Sequence, residues 1–226
     1  MEELCSEYYA SRPIISIPNT IGGNSNVLHC QGNLKLLKKQ SIAIVGTRRP
    51  TEEGLENAVH IAKQVCLLGS STVVGSGLAA GIDTAAHETA LKFGSTIAFV
   101  PFSLTCPCYP SCNRGLFDRI CREGLAISQF SSDETMQKWW FVMRSRLLVM
   151  HSACTVLIED EEEGGGRKAC DFALSIGKTV MIPRSFYHQI QNKWKRKLEG
   201  IPVSQLLGLD DVIAIRRQTV TQGELF

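Results

Sequence analysis

Between Ser41 and Asp83 the chain reads SIAIVGTRRPTEEG, then a helical interval, then STVVGSGLAAGID. Two short apolar runs, Ile42-Ala43-Ile44-Val45 and Thr72-Val73-Val74, meet glycine just ahead of helix-period segments. Strands that are continuously apolar and closed by glycine belong to parallel α/β sheets buried on both faces. The turn after such a strand presents unpaired backbone N–H groups at a helix N-terminus, which is an anion site. Two such turns lie close together here, and the first carries Arg48 and Arg49. A phosphate chain is the expected ligand.

The alternation continues along the chain. Strands are predicted near 41–46, 71–76, 95–101, 125–130, 154–159 and 178–183, with helices near 52–68, 82–93, 113–123, 140–150 and 166–176. In the first helix Leu55, Val59, Ala62 and Cys66 share one side and predict the buried face. Thr51 is its expected N-cap, with Glu52 and Glu53 in the first turn. This order predicts an extended Rossmann-like α/β fold, a doubly wound and mostly parallel sheet with helices on both faces. Ligands of such sheets sit beyond the carboxyl ends of the strands, where both glycine turns fall. Residues 1–40 are expected to be a lead-in packing on the core, 41–215 the domain, and 216–226 a mobile polar tail. A further helix is predicted over 186–199, where Lys193, Lys195, Arg196 and Lys197 surround Trp194. That patch reads either as a strip contacting a nucleic-acid backbone or as a solvated face over a buried Trp.

At 226 residues the chain suits one such domain, and 44% apolar with 20% charged residues is a globular balance. A net charge of +2 means that binding to nucleic acid has to come from local basic clusters. The acidic, polar start MEELCSEYY lacks a signal-peptide pattern. No apolar run reaches the roughly 20 residues that span a bilayer, so a cytoplasmic protein without membrane partners is expected. Nine cysteines are an odd number and are scattered, which reads as reduced thiols. Cys106, Cys108, Cys112 and Cys121 crowd one loop, but no histidine is interleaved and the spacing is not that of a zinc knuckle. Neither a metal nor a cofactor is expected.

Several spaced blocks carry a resemblance. IVGTRRPTEEG, GSGLAAGID followed by His87, YPSCNRGLFDRICREGLAIS and FVMRSRLLVMHS stand in the order of the motif blocks of the DNA-processing protein A (DprA/Smf) family, which this chain resembles. The likeness extends from LHCQGNLKLL to KTVMIP and towards Asp211. It implies an extended Rossmann core that binds single-stranded DNA, commonly as a homodimer, and helps load a RecA-type recombinase. The positions it carries over are Gly46, Thr47, Arg48, Ser76, Gly77, Gly81, Asp83, Arg144 and Arg146. Departures from the family pattern are Val142 for its proline, Ser145 for its asparagine, Ser128-Gln129 for its Ser-Glu, and the acidic run Glu159 to Glu163 for a hydroxyl-bearing turn. Those acids are expected to repel phosphate.

Residue chemistry points the same way. Gly46 and Gly77 let a phosphate approach the backbone. Arg48 can fork onto phosphate oxygens, with Arg49 beside it. Arg144 and Arg146 splay about 200° apart on a helix, so one is expected at the DNA rim and the other packed or paired inside. Asp83 is expected to stabilise a helix start or hold a turn, in contact with His87 one turn later. The final QGELF resembles the peptide with which DNA-metabolism proteins dock on the sliding clamp, with Leu225 and Phe226 as anchors and Gln222 on the rim. Beside a DNA-binding accessory protein without chemistry of its own stand two alternatives. One is a nucleotide sensor or nucleotide base–ribose hydrolase, prompted by Gly164-Gly165-Gly166 and Asp171, in a phage or plasmid defence setting. The other is a scaffold whose site has decayed.

Overall fold

A nine-stranded sheet runs through the computed structural model, which describes residues 13–22, 27–131 and 136–203. Its strands are β1 (Ile15–Pro18), β2 (Val27–Gly32), β3 (Gln40–Val45), β4 (Thr72–Ser76), β5 (Thr96–Phe99), β6 (Leu125–Ser128), β7 (Ser152–Leu157), β8 (Thr179–Pro183) and β9 (Ile201–Val203). The helices are α1 (Glu52–Leu67), α2 (Ile82–Phe93), α3 (Arg114–Glu123), α4 (Lys138–His151), α5 (Gly165–Ser175) and α6 (Arg184–Lys193). Across the sheet the order is β1-β2-β6-β5-β4-β3-β7-β8-β9. The strands from β6 to β9 in that order pair in parallel, while β2 joins β6 and β1 joins β2 antiparallel. This is the doubly wound, mostly parallel α/β sheet that the glycine-closed runs predict. From β3 the chain steps one way through β4, β5 and β6, then returns to lay β7, β8 and β9 on the other side. The reversal lies between β3 and β7, and a crevice opens at such a point.

Strand β3 shows how one run of residues serves both layers. Ile42 and Ile44 pack with α1 and α2, whereas Ala43 and Val45 pack with α4 and α5. Helix α3 covers the same side as α1 and α2, over Ala98 and Ala126.

Three expectations are corrected. The buried stripe of α1 is Ala58, Ile61, Ala62 and Val65, while Leu55 and Val59 are 40% and 43% exposed. The helix carries two apolar stripes, and the one with Ile61 and Val65 is the one packed on the sheet; Thr51 caps the helix as expected, its Oγ1 accepting from Gly54 N at 3.1 Å. The predicted helix over 186–199 ends at Lys193, because Trp194 turns inward against Phe186 (6.0 Å between centroids) and beneath the Arg167 guanidinium at 4.9 Å. Strands β5 and β6 are shorter than predicted. Pro101 has no N–H to extend the first. Ser128 ends the second, its hydroxyl donating to Phe102 O (2.7 Å) and accepting from Phe130 N (3.1 Å).

Lys178 fixes the far end of α4, its Nζ donating to the carbonyls of Val149, Met150 and Ser152 at 3.1, 2.7 and 2.6 Å. A cation on the last carbonyls of a helix is favourable for both hydrogen bonding and the helix dipole. It also sets where the rest of α4, including Arg144, meets the sheet edge. Burial pushes the Cys108 and Cys121 thiols of the predicted cysteine cluster up to about 12, which makes them poor ligands and poor nucleophiles at neutral pH.

Candidate nucleic-acid interface

Beyond the carboxyl ends of β3 and β7, at the reversal of strand order, lies a groove of about 670 Å³. The β3–α1 turn supplies Gly46, Thr47, Arg48 and Arg49 to it. Helix α4 supplies Phe141, Val142, Arg144, Ser145 and Arg146, the loop into α5 adds Asp160 and Glu161, and the first turn of α5 adds Gly165, Gly166 and Lys168. Arg48, Arg49, Arg144, Arg146 and Lys168 thus line one concave surface. A smaller hollow of about 130 Å³ adjoins it, sharing Arg48, Ala79, Phe141 and Arg144 with the groove.

The two arginines of α4 divide as their spacing requires. Arg144 is buried and its Nη1 lies 3.7 Å from Asp83 Oδ2, the two side chains being 9% and 6% exposed. At that separation the pair is ionic but not hydrogen-bonded. Arg144 Nε has no hydrogen-bond partner among the described residues. A buried guanidinium with an unmet donor at a cavity wall is suited to an incoming acceptor. Burial raises the Asp83 carboxyl above its ordinary range, while Arg144 and the N–H groups of Ala79 and Gly77 pull it back. Burial and the Arg48 charge lower Arg144, with Asp83 opposing. Arg146, on the opposite side of the turn, is exposed and sits over the Phe172 ring at 5.2 Å.

Gly77 is dictated by Arg144. A Cβ there would fall on the Arg144 Nη1 position and within 2.9 Å of Asp83 Oδ2. Gly81, at φ 79°, is the left-handed residue that starts α2, and a Cβ on it would meet the Thr47 carbonyl at 2.5 Å. Between them Leu78 also takes a positive φ, 62°, although it is fully buried. Asn113 holds this strained turn, donating from Nδ2 to the Leu78 and Ala79 carbonyls at 3.0 and 3.2 Å and to Thr84 Oγ1 at 2.9 Å.

The backbone amides are a correction. The sequence predicts N–H groups open to phosphate, but the fold engages them with its own oxygens. Thr47 N donates to Glu159 O at 2.7 Å, and Arg49 N to Thr47 Oγ1 at 3.2 Å. Thr51 gives both N–H and O–H to the Glu159 carboxylate. Ala79 N donates to Asp83 at 3.2 Å, and Arg167 N, at the start of α5, to Asp160 at 2.8 Å. The starts of α1 and α5 therefore already hold carboxylates, the turn before α2 holds Asp83 and Ile82 N donates to Thr47 O, and the cationic side chains are what the groove offers an anion. The acidic run is corrected by the same facts. Glu159 and Asp160 serve helix starts and Glu162 accepts from Arg196 N at 2.7 Å, so the run is in large part internal bracing. Glu161 remains on the groove wall.

Other predicted residues lie elsewhere. Ser76 is fully buried and donates to Ile44 O at 2.6 Å, tying β4 to β3. His87 does not bond Asp83; its Nδ1 meets Thr96 Oγ1 at 2.7 Å, because the imidazole points back to β5. Lys195 is exposed beside Glu162 and lines neither cavity, since the chain has already turned at Trp194. Gln222, Leu225 and Phe226 fall outside the described residues. The sequence reading missed Phe141, over which Arg48 sits at 5.5 Å, Tyr109, edge-on to Phe141 at 5.5 Å, and Lys168. Position-by-position reading treats aromatics as core, and only the fold shows that these two line a cavity.

The family model of DNA recombination-mediator protein A matches residues 9–200. The DNA processing protein DprA of Bacillus subtilis is 36% identical over 124 residues, 54% of this chain and 41% of its own length. That of Streptococcus pneumoniae is 34% identical over 161 residues, 70% of this chain and 56% of its own. The chain thus spans about half the length of these relatives. The X-ray structure of the S. pneumoniae protein superposes with TM-score 0.73 at 26% identity, covering 95% of this chain and 77% of that one. A structure of DNA processing protein A from Helicobacter pylori, described for its single-stranded DNA binding mode, shares the fold with TM-score 0.70 at 24% identity, covering 93% and 90%.

Proposed function

The chain belongs to the DNA recombination-mediator protein A family, and from that premise we propose that the switch-point groove grips the backbone of single-stranded DNA in DNA processing. The observation that supports it is the convergence of Arg48, Arg49, Arg144, Arg146 and Lys168 on one concave wall of a nearly neutral protein. Phosphates meet these cations, and Phe141, held under Arg48, offers a ring for a base. The groove binds and positions the strand; no bond is broken there. A small nucleotide is less well served, because the α5 amides beside Gly164-Gly165-Gly166 already hold Asp160.

Arg48→Ala tests this. Arg48 is exposed and its loss leaves no buried charge, so folding is retained. Affinity for a single strand is expected to fall about tenfold whatever the base sequence, and the slope of log affinity against log salt to flatten by about 0.7. Unchanged affinity and slope, or duplex bound as tightly as single strand, would remove the groove from the account.

The same reading brings three partners: a second copy of the chain, a RecA-type recombinase, and a sliding clamp met by Gln222, Leu225 and Phe226. What supports the last is the QGELF pattern, two apolar anchors after a glutamine. Sedimentation velocity of the chain alone, with the recombinase and with the clamp measures all three. Leu225→Ala with Phe226→Ala is expected to abolish the clamp complex alone. A single monomeric boundary in every mixture would withdraw these partners.

Among the described residues no helix is long and apolar enough to cross a membrane.

A further inference from the structure

The small hollow beside the groove has a different chemistry from the groove itself. Its lining is apolar or small, including Gly77, Ala80 and Pro101, with Tyr109 and Phe141 set edge to face at 5.5 Å. Among the described residues Arg48 and Arg144 are its charged lining residues and no carboxylate lines it, because Asp83 faces the main groove. Arg144 is 9% exposed, has an Nε without a partner among the described residues, and stands beyond hydrogen-bond distance of Asp83.

A phosphate would lose its hydration to apolar walls here, so the backbone belongs in the wider groove. A flat ring with acceptors on one edge suits the hollow on every count. Its walls are apolar and aromatic, a buried guanidinium supplies donors, and about 130 Å³ is room for roughly four waters of liquid volume, close to one base. Resting on the single-strand reading above, we infer that this hollow takes one nucleobase turned out of the bound strand and that Arg144 reads its edge. Guanine is preferred, since O6 and N7 present two adjacent acceptors to a guanidinium. On that edge adenine turns an amino group toward the same donors and thymine offers one carbonyl beside a methyl, whereas cytosine can still present N3 and O2 from its other edge, so adenine is the purine that the site reads guanine against. The protein then carries a one-base preference within otherwise sequence-independent binding.

Fluorescence anisotropy decides it, using labelled oligothymidine of about 20 nucleotides and the same strand carrying one central guanine or adenine. The single guanine is expected to tighten binding about tenfold over a single adenine. Ala80→Leu, at a half-buried position that lines only the hollow, is expected to erase that preference while keeping oligothymidine affinity and its salt dependence. Ala80→Ser is expected to keep both. If the wild type binds all strands equally and salt-sensitively, the hollow takes no base and the groove reading stands. A guanine preference that survives Ala80→Leu places base reading elsewhere and overturns the inference. Absence of any strand binding removes the inference and the groove reading together.

Discussion

Arg144→Met is expected to cost about 3–5 kcal/mol of folding stability, the penalty for leaving a buried carboxylate without its cation. Asp83 would remain 6% exposed, held only by the amides of its turn, in a space shaped for a guanidinium. Against a typical stability of about 5–15 kcal/mol, a loss of that size brings the protein close to unfolding. Single-strand affinity is expected to fall as well, but the single variant cannot say whether through the site or through the fold. Asp83→Asn combined with Arg144→Met separates the two. Removing both charges takes away the uncompensated burial, so the urea midpoint is expected to recover most of its loss. Binding measured by anisotropy is expected to stay weakened by about tenfold, since the donors at the cavity wall are gone while Arg48, Arg49, Arg146 and Lys168 remain. A double variant that recovers both would make the pair structural bracing, with Arg48 and its exposed neighbours doing all the gripping. A single variant with an unchanged midpoint would mean that Asp83 is adequately served by its amides.

That pair also marks how far the residues alone could be read. The alternation of glycine-closed strands with helices is local in the chain, so the sheet, its two covered faces and the rim on which a ligand sits follow from it. The split between Arg144 and Arg146 follows equally, because it depends only on the turn angle of one helix. What could not be followed is whatever depends on two distant segments meeting. The partner of Arg144 is Asp83, the carboxylate at the start of α1 is Glu159, and the turn at Leu78 is held by Asn113; none of these pairs is close in sequence. The orientation of α1 failed for a related reason. Two apolar stripes of similar strength lie on that helix, and which one faces the sheet is decided by burying Ile61 and Val65, about 1.5–3 kcal/mol for each fully buried side chain. Backbone amides at helix starts were legible as an anion site, but the anions that fill them belong to the protein. The groove's character is thereby changed from a cradle of N–H groups to a wall of side-chain cations, and cationic side chains bind with stronger salt dependence and less geometric demand.

Lowering the pH from 6.5 to 5 is expected to remove about 3 kcal/mol of stability, and two histidines are the cause. Burial, together with the nearby Arg144 charge, holds His87 down to about 3; burial with Lys178 nearby holds His151 down to about 4. Thr96 Oγ1 donates to the Val74 carbonyl at 2.9 Å, so in its contact with His87 it accepts, which places the imidazole proton on Nδ1. Nε2 then faces the interior unprotonated and without a partner among the described residues. A proton added there would be a buried donor with no acceptor beside a guanidinium. Because both folded-state values lie below the unfolded value of about 6.5, the unfolded chain binds more protons throughout this window and stability falls as pH falls. The contribution is whole above pH ~7.5; each histidine removes about 0.7 kcal/mol per pH unit at pH ~6.5, rising towards about 1.4 a unit lower. Asp83 and Asp160, raised by burial, act in the opposite sense once they begin to take protons in the folded state, so they reduce the slope towards the acid end of the window. Urea midpoints at half-unit pH steps measure it, and His87→Gln, which cannot titrate, is expected to halve the slope whatever it does to the absolute stability. A slope that His87→Gln leaves unchanged would mean that the His87 imidazole is already charged in the fold. Arg144 would then have a second cation at its back, and the pairing with Asp83 on which the groove wall depends would need another source of compensation.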